Sequence, residues 1–232
     1  MTAPADLFLC LDTSTPTARV AVVDGSGGVR FAAEGTADRH SSHVLALAAE
    51  ALGAAGLAPA GLAGIACGGG PGSFTGLRVG ISVAKGLALP TGVPFHLVSS
   101  LEALALDLLA ALGPEITAVP CLDAGKGEVY VGAFAHDRGR LVRALAPECR
   151  LGPLALPEWL AALPQPVVAG NGADRHGLTS ARARDAGIAG PSAASIGRLA
   201  LAQRARGEAS DLEHAVPLYG RPPDITVKAG KK

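Results

Sequence analysis

Short apolar runs closed by polar turns open the chain. Leu7–Leu11 is apolar throughout and ends at Asp12, and Arg19–Val23 is a second apolar run closed by Asp24-Gly25-Ser26-Gly27-Gly28. Thr13-Ser14-Thr15-Pro16-Thr17 lies between them, so two strands joined by a polar turn are predicted, with Val29–Glu34 as a third strand. Val44, Leu45, Ala48, Ala51 and Leu52 then recur at helical spacing. They predict a helix that Ser41 or Ser42 caps, running to about Leu52, with Gly53 as its stop. Gly64–Cys67 reads as a short buried strand, Gly68–Gly76 as a loop, and Leu77 to about Leu89 as a helix ended by Pro90 and Pro94.

From Ser99 onward the pattern repeats more loosely. Leu101–Leu112 reads as a helix, Thr117–Leu122 as a strand, and Glu128–Phe134 as its hairpin partner. Pro157–Leu163 predicts a short helix, Val167–Gly170 a strand entering a glycine turn, and Ser192 caps a helix to about Arg206. Residues 220–232 hold two prolines and three lysines with little to bury, so a loose tail is expected.

One echo links the halves. Cys10-Leu11-Asp12 recurs as Cys121-Leu122-Asp123, and Val20 recurs as Val131 at the same offset. Each copy ends an apolar run, enters a polar turn and meets a second apolar run. A duplicated lobe that opens with strand, Asp and hairpin is similar to the actin-like (ASKHA) folds. The expected class is therefore α/β, a duplicated two-lobe fold with mixed sheets flanked by helices. Residues 1–100 would form the first lobe and 101–219 the second, with the 192–206 helix packing back on the first lobe.

Composition narrows the function. Of 232 residues, 49% are hydrophobic, which excludes a disordered chain. Twenty basic side chains balance twenty acidic ones, so the broad basic face of a protein that grips nucleic acid alone is not present. Aromatics are only 3%, too few for a base-stacking platform. If the chain works on RNA, something else is expected to do most of the gripping. Charged residues are 17%, which leaves a poorly hydrated surface suited to a partner. The four cysteines form no Cys-x-x-Cys pair, and three lie in apolar runs as core residues. No basic residue precedes the first apolar run, and the uncharged stretch Ala51–Leu77 holds nine glycines and two prolines. Neither a secretory signal nor a membrane helix is read, and a cytoplasmic location is expected.

The glycine loop fits no phosphate motif. A P-loop requires Lys after its second glycine, and Gly70 stands there. The dinucleotide pattern fails at Ser73 or Thr75, and Ser73 lacks the flanking glycines of a nucleophile elbow. A structural turn and a ligand loop both remain open. In the next helix Gly76, Gly80, Ala84 and Ala88 repeat every fourth residue, a flat ridge for another helix, either within the chain or from a partner. His40 and His43 share a spacing but have no third ligand nearby, so no metal site is expected.

These residues carry a family resemblance. GGGPGSFTGLRVGISVAKGLAL (Gly68–Leu89) resembles the signature of the TsaB (YeaZ) family, partner subunits in bacterial threonylcarbamoyladenosine modification of tRNA. LCLDTSTPTARVAV (Leu9–Val22), DRHSSHVL (Asp38–Leu45), LDAGKGEVYVGAF (Leu122–Phe134), PSAASIGRLAL (Pro191–Leu201) and EHAVPLY (Glu213–Tyr219) support it. The signature-loop residues are Gly70, Pro71, Gly72, Ser73, Phe74, Thr75, Gly76 and Arg78.

The resemblance implies an actin-like fold related to TsaD, the catalytic subunit of the same pathway. TsaD carries a His-x-x-x-His metal pair. Laid on this chain, that pattern falls on Ser100 and Leu104, and neither replaces imidazole at a metal. Asp12 is followed by Thr-Ser-Thr-Pro where actin-like ATPases place a phosphate-wrapping glycine, and Asp123 is its possible counterpart on a vestigial nucleotide side. The implied role is a non-catalytic activating subunit, without cofactor. It would pair with a TsaD-type subunit, take a TsaE-type ATPase as third member, meet tRNA only through that complex, and self-associate when alone. The interface is expected on helices 41–52 and 77–89, through His43, Leu47, Glu50, Gly76, Gly80, Val83, Ala84, Gly86 and Leu87. The chain departs from the family at Tyr219-Gly220-Arg221, where an apolar residue commonly separates Tyr from Arg. An actin-like ATPase or small-molecule kinase using Asp12 and Asp123 is the alternative, and a glycoprotease-like metallopeptidase is a second.

Overall fold

The computed structural model describes residues 6–36, 41–152 and 154–218. The predicted tail 220–232, Tyr219, Arg221 and His40 lie outside the described residues. Two mixed sheets carry the chain. The first runs β3(Val29–Thr36)-β2(Thr17–Asp24)-β1(Leu7–Asp12)-β4(Gly64–Gly70)-β5(Phe95–Ser99). The second runs β8(Leu141–Leu151)-β7(Glu128–Asp137)-β6(Thr117–Gly125)-β9(Pro166–Ala169). Each opening strand is central. β1 pairs antiparallel with β2 and parallel with β4, and β6 pairs antiparallel with β7 and parallel with β9. The same strand order in both halves is the duplicated actin-like architecture.

The helices form three layers around these sheets. α1(Ser41–Ala54) and α2(Phe74–Ala88) cover one face of the first sheet, where Val44, Ala48 and Ala84 meet Leu9, Leu11 and Ile65. α3(Ser100–Leu112) and α7(Ala193–Ala205) lie between the sheets, packing Leu104 and Ile196 with Phe8 and Cys10 from one sheet and Leu122 and Phe134 from the other. α4(Leu156–Ala161) and α5(Asn171–Arg175) cover the outer face of the second sheet, over Val119 and Cys121, and α6(Ala181–Asp185) follows. Helix α7 packs mainly on β1 and β2. Ser192 caps it by accepting from the Ser195 N–H at 3.0 Å. Asp107 of α3 ties this cap down, accepting from Ser192 N, Ser192 Oγ and Ser195 Oγ at 2.6–2.7 Å.

Several expectations are corrected. Strand β4 runs through Gly68, Gly69 and Gly70, because glycine is required there for close approach: a Cβ on Gly69 would sit 2.7 Å from Leu97 Cγ. Helix α2 starts at Phe74, three residues early, because Ser73 caps it by accepting from Gly76 N at 3.2 Å. Helix α1 continues past Gly53, which faces open space. Strands β5 and β8 were not anticipated. β8 is an edge strand whose mixed sequence LVRALAPECRL lacks an apolar run.

The echo also changes meaning. Side chains alternate faces along a strand, so a one-residue slip inverts them. Cys10 faces the layer between the sheets and Leu11 the α1/α2 layer, whereas Cys121 faces outward and Leu122 inward. The duplication is real, but the Cys-Leu-Asp match is one residue out of phase with it.

Residues 210–218 run from the free edge of β5, past α2, to the end of β4. Ser210 N donates to Phe95 O at 3.0 Å, Leu218 N donates to Gly69 O at 2.7 Å, and Lys85 Nζ holds the carbonyls of Glu213 and Ala215 at 3.1 and 3.0 Å. Beneath α7, His96 of β5 is 1% exposed, lies 5.9 Å from the Phe8 ring and has no hydrogen-bond partner on either ring nitrogen. Burial holds its pKa below the usual histidine value, aided by the Arg204 charge and opposed by the neighbouring Gln203 side chain, whose amide donates to Leu97 O. An unfolded chain takes up this proton near pH 6.5 and the folded chain does not, so His96 costs stability as pH falls below about 6.5. Urea midpoints at pH 7.5 and 5.5 test this. His96→Leu is expected to flatten the drop, by up to about 1.4 kcal/mol per pH unit; an unchanged slope refutes the assignment.

Candidate functional site

The glycine signature and the β1–β2 turn form one contact. Ser73 N donates to Ser14 O at 2.8 Å, and Thr13 Oγ donates to Gly76 O at 2.8 Å. A Cβ added to Gly72 would lie 2.4 Å from Ser14 O, one on Gly76 2.1 Å from Thr13 O, and one on Gly80 2.1 Å from Thr13 Oγ. Three glycines thus let the start of α2 lie directly on the turn. In a phosphate loop the space above such a helix start receives the anion; here Thr13 and Ser14 fill it. Both are almost wholly buried. The structural-turn alternative therefore accounts for the glycines. Of the remaining signature residues, Pro71 is buried, while Ser73, Phe74, Thr75 and Arg78 are exposed, with the Arg78 guanidinium 4.6 Å from the Phe74 ring centre.

Asp12 is the buried charge beneath this contact. Its Oδ1 accepts from Ser14 N at 3.0 Å and Ser14 Oγ at 2.7 Å, and its Oδ2 accepts from Ser100 Oγ at 2.8 Å. Ser100 Oγ in turn accepts from Gly70 N at 3.3 Å. Gly68 has no side chain because a Cβ there would meet Asp12 Oδ2 at 2.0 Å. Burial pushes the Asp12 carboxyl upward, while the hydrogen bonds from Ser14 and Ser100 and the Arg19 charge pull it back. Ser100, one of the two positions where the metal-ligand pattern falls, is thus consumed by Asp12. The other, Leu104, is buried against Gly170. Among the described residues no group of three or more His, Cys, Asp or Glu is placed to hold a metal ion.

Asp123 sits differently from Asp12. Its Oδ2 is 2.7 Å from Arg175 Nη1 of α5, and its Oδ1 accepts from Gly125 N at 3.0 Å. Asp12 faces α3 in the layer between the sheets, while Asp123 faces the outer helix layer. The same one-residue phase slip separates them. The two carboxylates are committed to different partners, Asp12 to Ser14 and Ser100 and Asp123 to Arg175. The turn that holds Asp123 includes Asn171, whose Oδ1 accepts from Asp123 N at 3.2 Å; neither Arg175 nor Asn171 carried a sequence signal.

The expected interface residues also divide. Gly76, Gly80, Val83 and Ala84 are buried in the chain's own core, so the four-residue ridge is internal packing and not a surface. His43, Glu50 and Gly86 are exposed, Leu87 is half-buried, and Leu47 is buried beside Gly35. The outward row of α2 is Phe74, Arg78, Ser82, Gly86 and Leu89, which follows the helix just past its last residue. Among the described residues no helix is long and apolar enough to cross a membrane.

Comparison with known proteins places this geometry. A family model described as TsaD, tRNA N6-adenosine threonylcarbamoyltransferase, matches residues 18–150. The tRNA threonylcarbamoyladenosine biosynthesis protein TsaB of Escherichia coli K12 is 30% identical over 92% of this chain and 94% of its own. TsaB of Bacillus subtilis is 31% identical over 66% of this chain and 64% of its own. The structure of YeaZ from Pseudomonas aeruginosa superposes with a TM-score of 0.75 at 30% identity, covering 92% of this chain and 99% of that one. Strand order, signature loop and near-full-length similarity agree: the chain belongs to the TsaB (YeaZ) family, which serves tRNA threonylcarbamoyladenosine biosynthesis.

Proposed function

We propose that this chain is a non-catalytic, activating subunit of the machinery that transfers a threonylcarbamoyl group to the adenosine beside the anticodon of tRNAs reading A-starting codons. One observation carries the reading: Thr13, Ser14 and Ser100 fill the end of β1, where an actin-like enzyme would hold phosphate and metal. A chain that spends its aspartate on its own serines has no free group there for chemistry, so its contribution is a surface. The partner is a TsaD-type catalytic relative, with a TsaE-type ATPase as third member; the free chain pairs with itself through the same face. That face is the exposed side of α1 and α2, with His43, Glu50, Gly86 and Leu87 from the expected set and Phe74 and Arg78 added. The location is cytoplasmic, where tRNA is modified.

Reconstitution tests the reading. The catalytic and ATPase subunits, an activated threonine donor and tRNA are incubated with and without this chain, and modified adenosine is counted. Modification is expected to rise at least tenfold with the chain present. Ser82→Trp on the outward row is expected to abolish pairing without shifting the thermal midpoint. Turnover by the isolated chain, or no stimulation, overturns the proposal.

A further inference from the structure

The arginines of this chain are unevenly committed. Among those with described side chains, six hold ion pairs, Arg182 and Arg198 donate to the carbonyls of Leu112 and Gly27, and Arg78 lies over Phe74. Arg138, Arg140 and Arg143 are the exception. They fall within six residues on the β7–β8 hairpin, all three are exposed, and their side chains make no hydrogen bond or ion pair among the described residues. The carboxylate adjoining them in sequence shapes the turn itself: Asp137 accepts from Gly139 N at 2.9 Å and Arg140 N at 2.7 Å. Across the adjoining cleft Arg206 is tied to Glu208, and Glu102 is half-buried at the start of α3. Glu102, Asp137 and Glu208 act on Arg140, and Asp137 on Arg143, only through space, so the three guanidinium groups at this hairpin tip keep their hydrogen-bond donors open.

We infer that the β7–β8 hairpin tip contacts the phosphate backbone of the tRNA substrate in the assembled complex. This rests on the functional reading above. Guanidinium forks match phosphate oxygens in bidentate geometry. Here no existing ion pair has to break for them to do so. The hairpin belongs to the second sheet, whereas α1 and α2 cover a face of the first. Three contacts are few, which fits a chain that holds RNA only as an auxiliary to its partners.

The test uses the full reconstituted complex and an unmodified tRNA reading an A-starting codon. Affinity is measured against salt for wild type and for Arg138→Gln/Arg140→Gln/Arg143→Gln. The variant is expected to weaken binding about tenfold or more near 0.1 M salt and to flatten the slope of log affinity against log salt by about 2–3. Assembly, followed separately by sedimentation, is expected to be unchanged. A control that removes three committed charges, Arg30→Gln/Arg150→Gln/Arg182→Gln, is expected to bind like wild type. Unchanged tRNA binding by the hairpin variant overturns the inference, as does an equal loss in the control. Loss of assembly overturns it in favour of a protein contact. If the wild-type chain neither assembles nor stimulates, the functional reading itself has failed, and the hairpin inference falls with it.

Discussion

Gly76→Ala is expected to lower the thermal midpoint by roughly 6–12 °C, while Gly86→Ala in the same helix raises it slightly. The added methyl at Gly76 meets Thr13 O at 2.1 Å, a backbone atom that cannot swing aside. Relief requires α2 to lift from the β1–β2 turn, breaking the Ser73–Ser14 and Thr13–Gly76 hydrogen bonds. Overpacking of this kind costs about 3 kcal/mol, a large share of the roughly 5–15 kcal/mol that holds a domain folded. For a chain of this length each kcal/mol moves the midpoint by about 2–4 °C. A Cβ on Gly86 meets nothing within 4 Å, so only the better helix propensity of alanine acts, worth about 0.5–1 kcal/mol. Equal midpoints for the two variants would show that the glycine row is not an internal contact.

Asp12→Ala is expected to cost about 3 kcal/mol or more. It leaves Ser14 N, Ser14 Oγ and Ser100 Oγ without their acceptor in a fully buried setting. Each stranded donor carries about 1–3 kcal/mol of desolvation, partly relieved where a hydroxyl turns elsewhere. The pH dependence separates charge from shape. Burial raises the folded carboxyl's pKa, so the folded state binds this proton more tightly than the unfolded one. Its contribution to stability is greatest below about pH 3.9 and is lost as pH rises through the folded value. Asp12→Asn carries no titrating proton and is expected to remove that slope. Calorimetry with Mg-ATP completes the test. If Asp12 is a packing charge, wild type and variant give the same null titration; tight binding by wild type, lost in Asp12→Asn at unchanged stability, would favour the kinase alternative.

Much of this molecule was legible in one dimension. The strand–turn–strand openings, the helix cap at Ser192 and the glycine signature as a motif rest on local patterns: burial period, a capping hydroxyl, and residues adjacent in sequence. These survive without knowledge of neighbours distant in sequence. Strand β8 was not legible, because an edge strand buries one side only and needs no apolar run. The docking of residues 210–218 on β5 and the end of β4 was also hidden, since it joins backbone groups more than 100 residues apart.

The amino-acid order by itself determined the fold class and the family, because apolar periodicity and a long glycine motif are properties of neighbouring residues. Only the tertiary structure decided what the site is. Whether Gly80 faces a partner or Thr13, and whether Asp12 and Asp123 share a ligand, depends on which face each side chain takes. A strand reverses its faces with every residue, so a register slip of one, invisible in a three-letter match, sends the two aspartates into different layers.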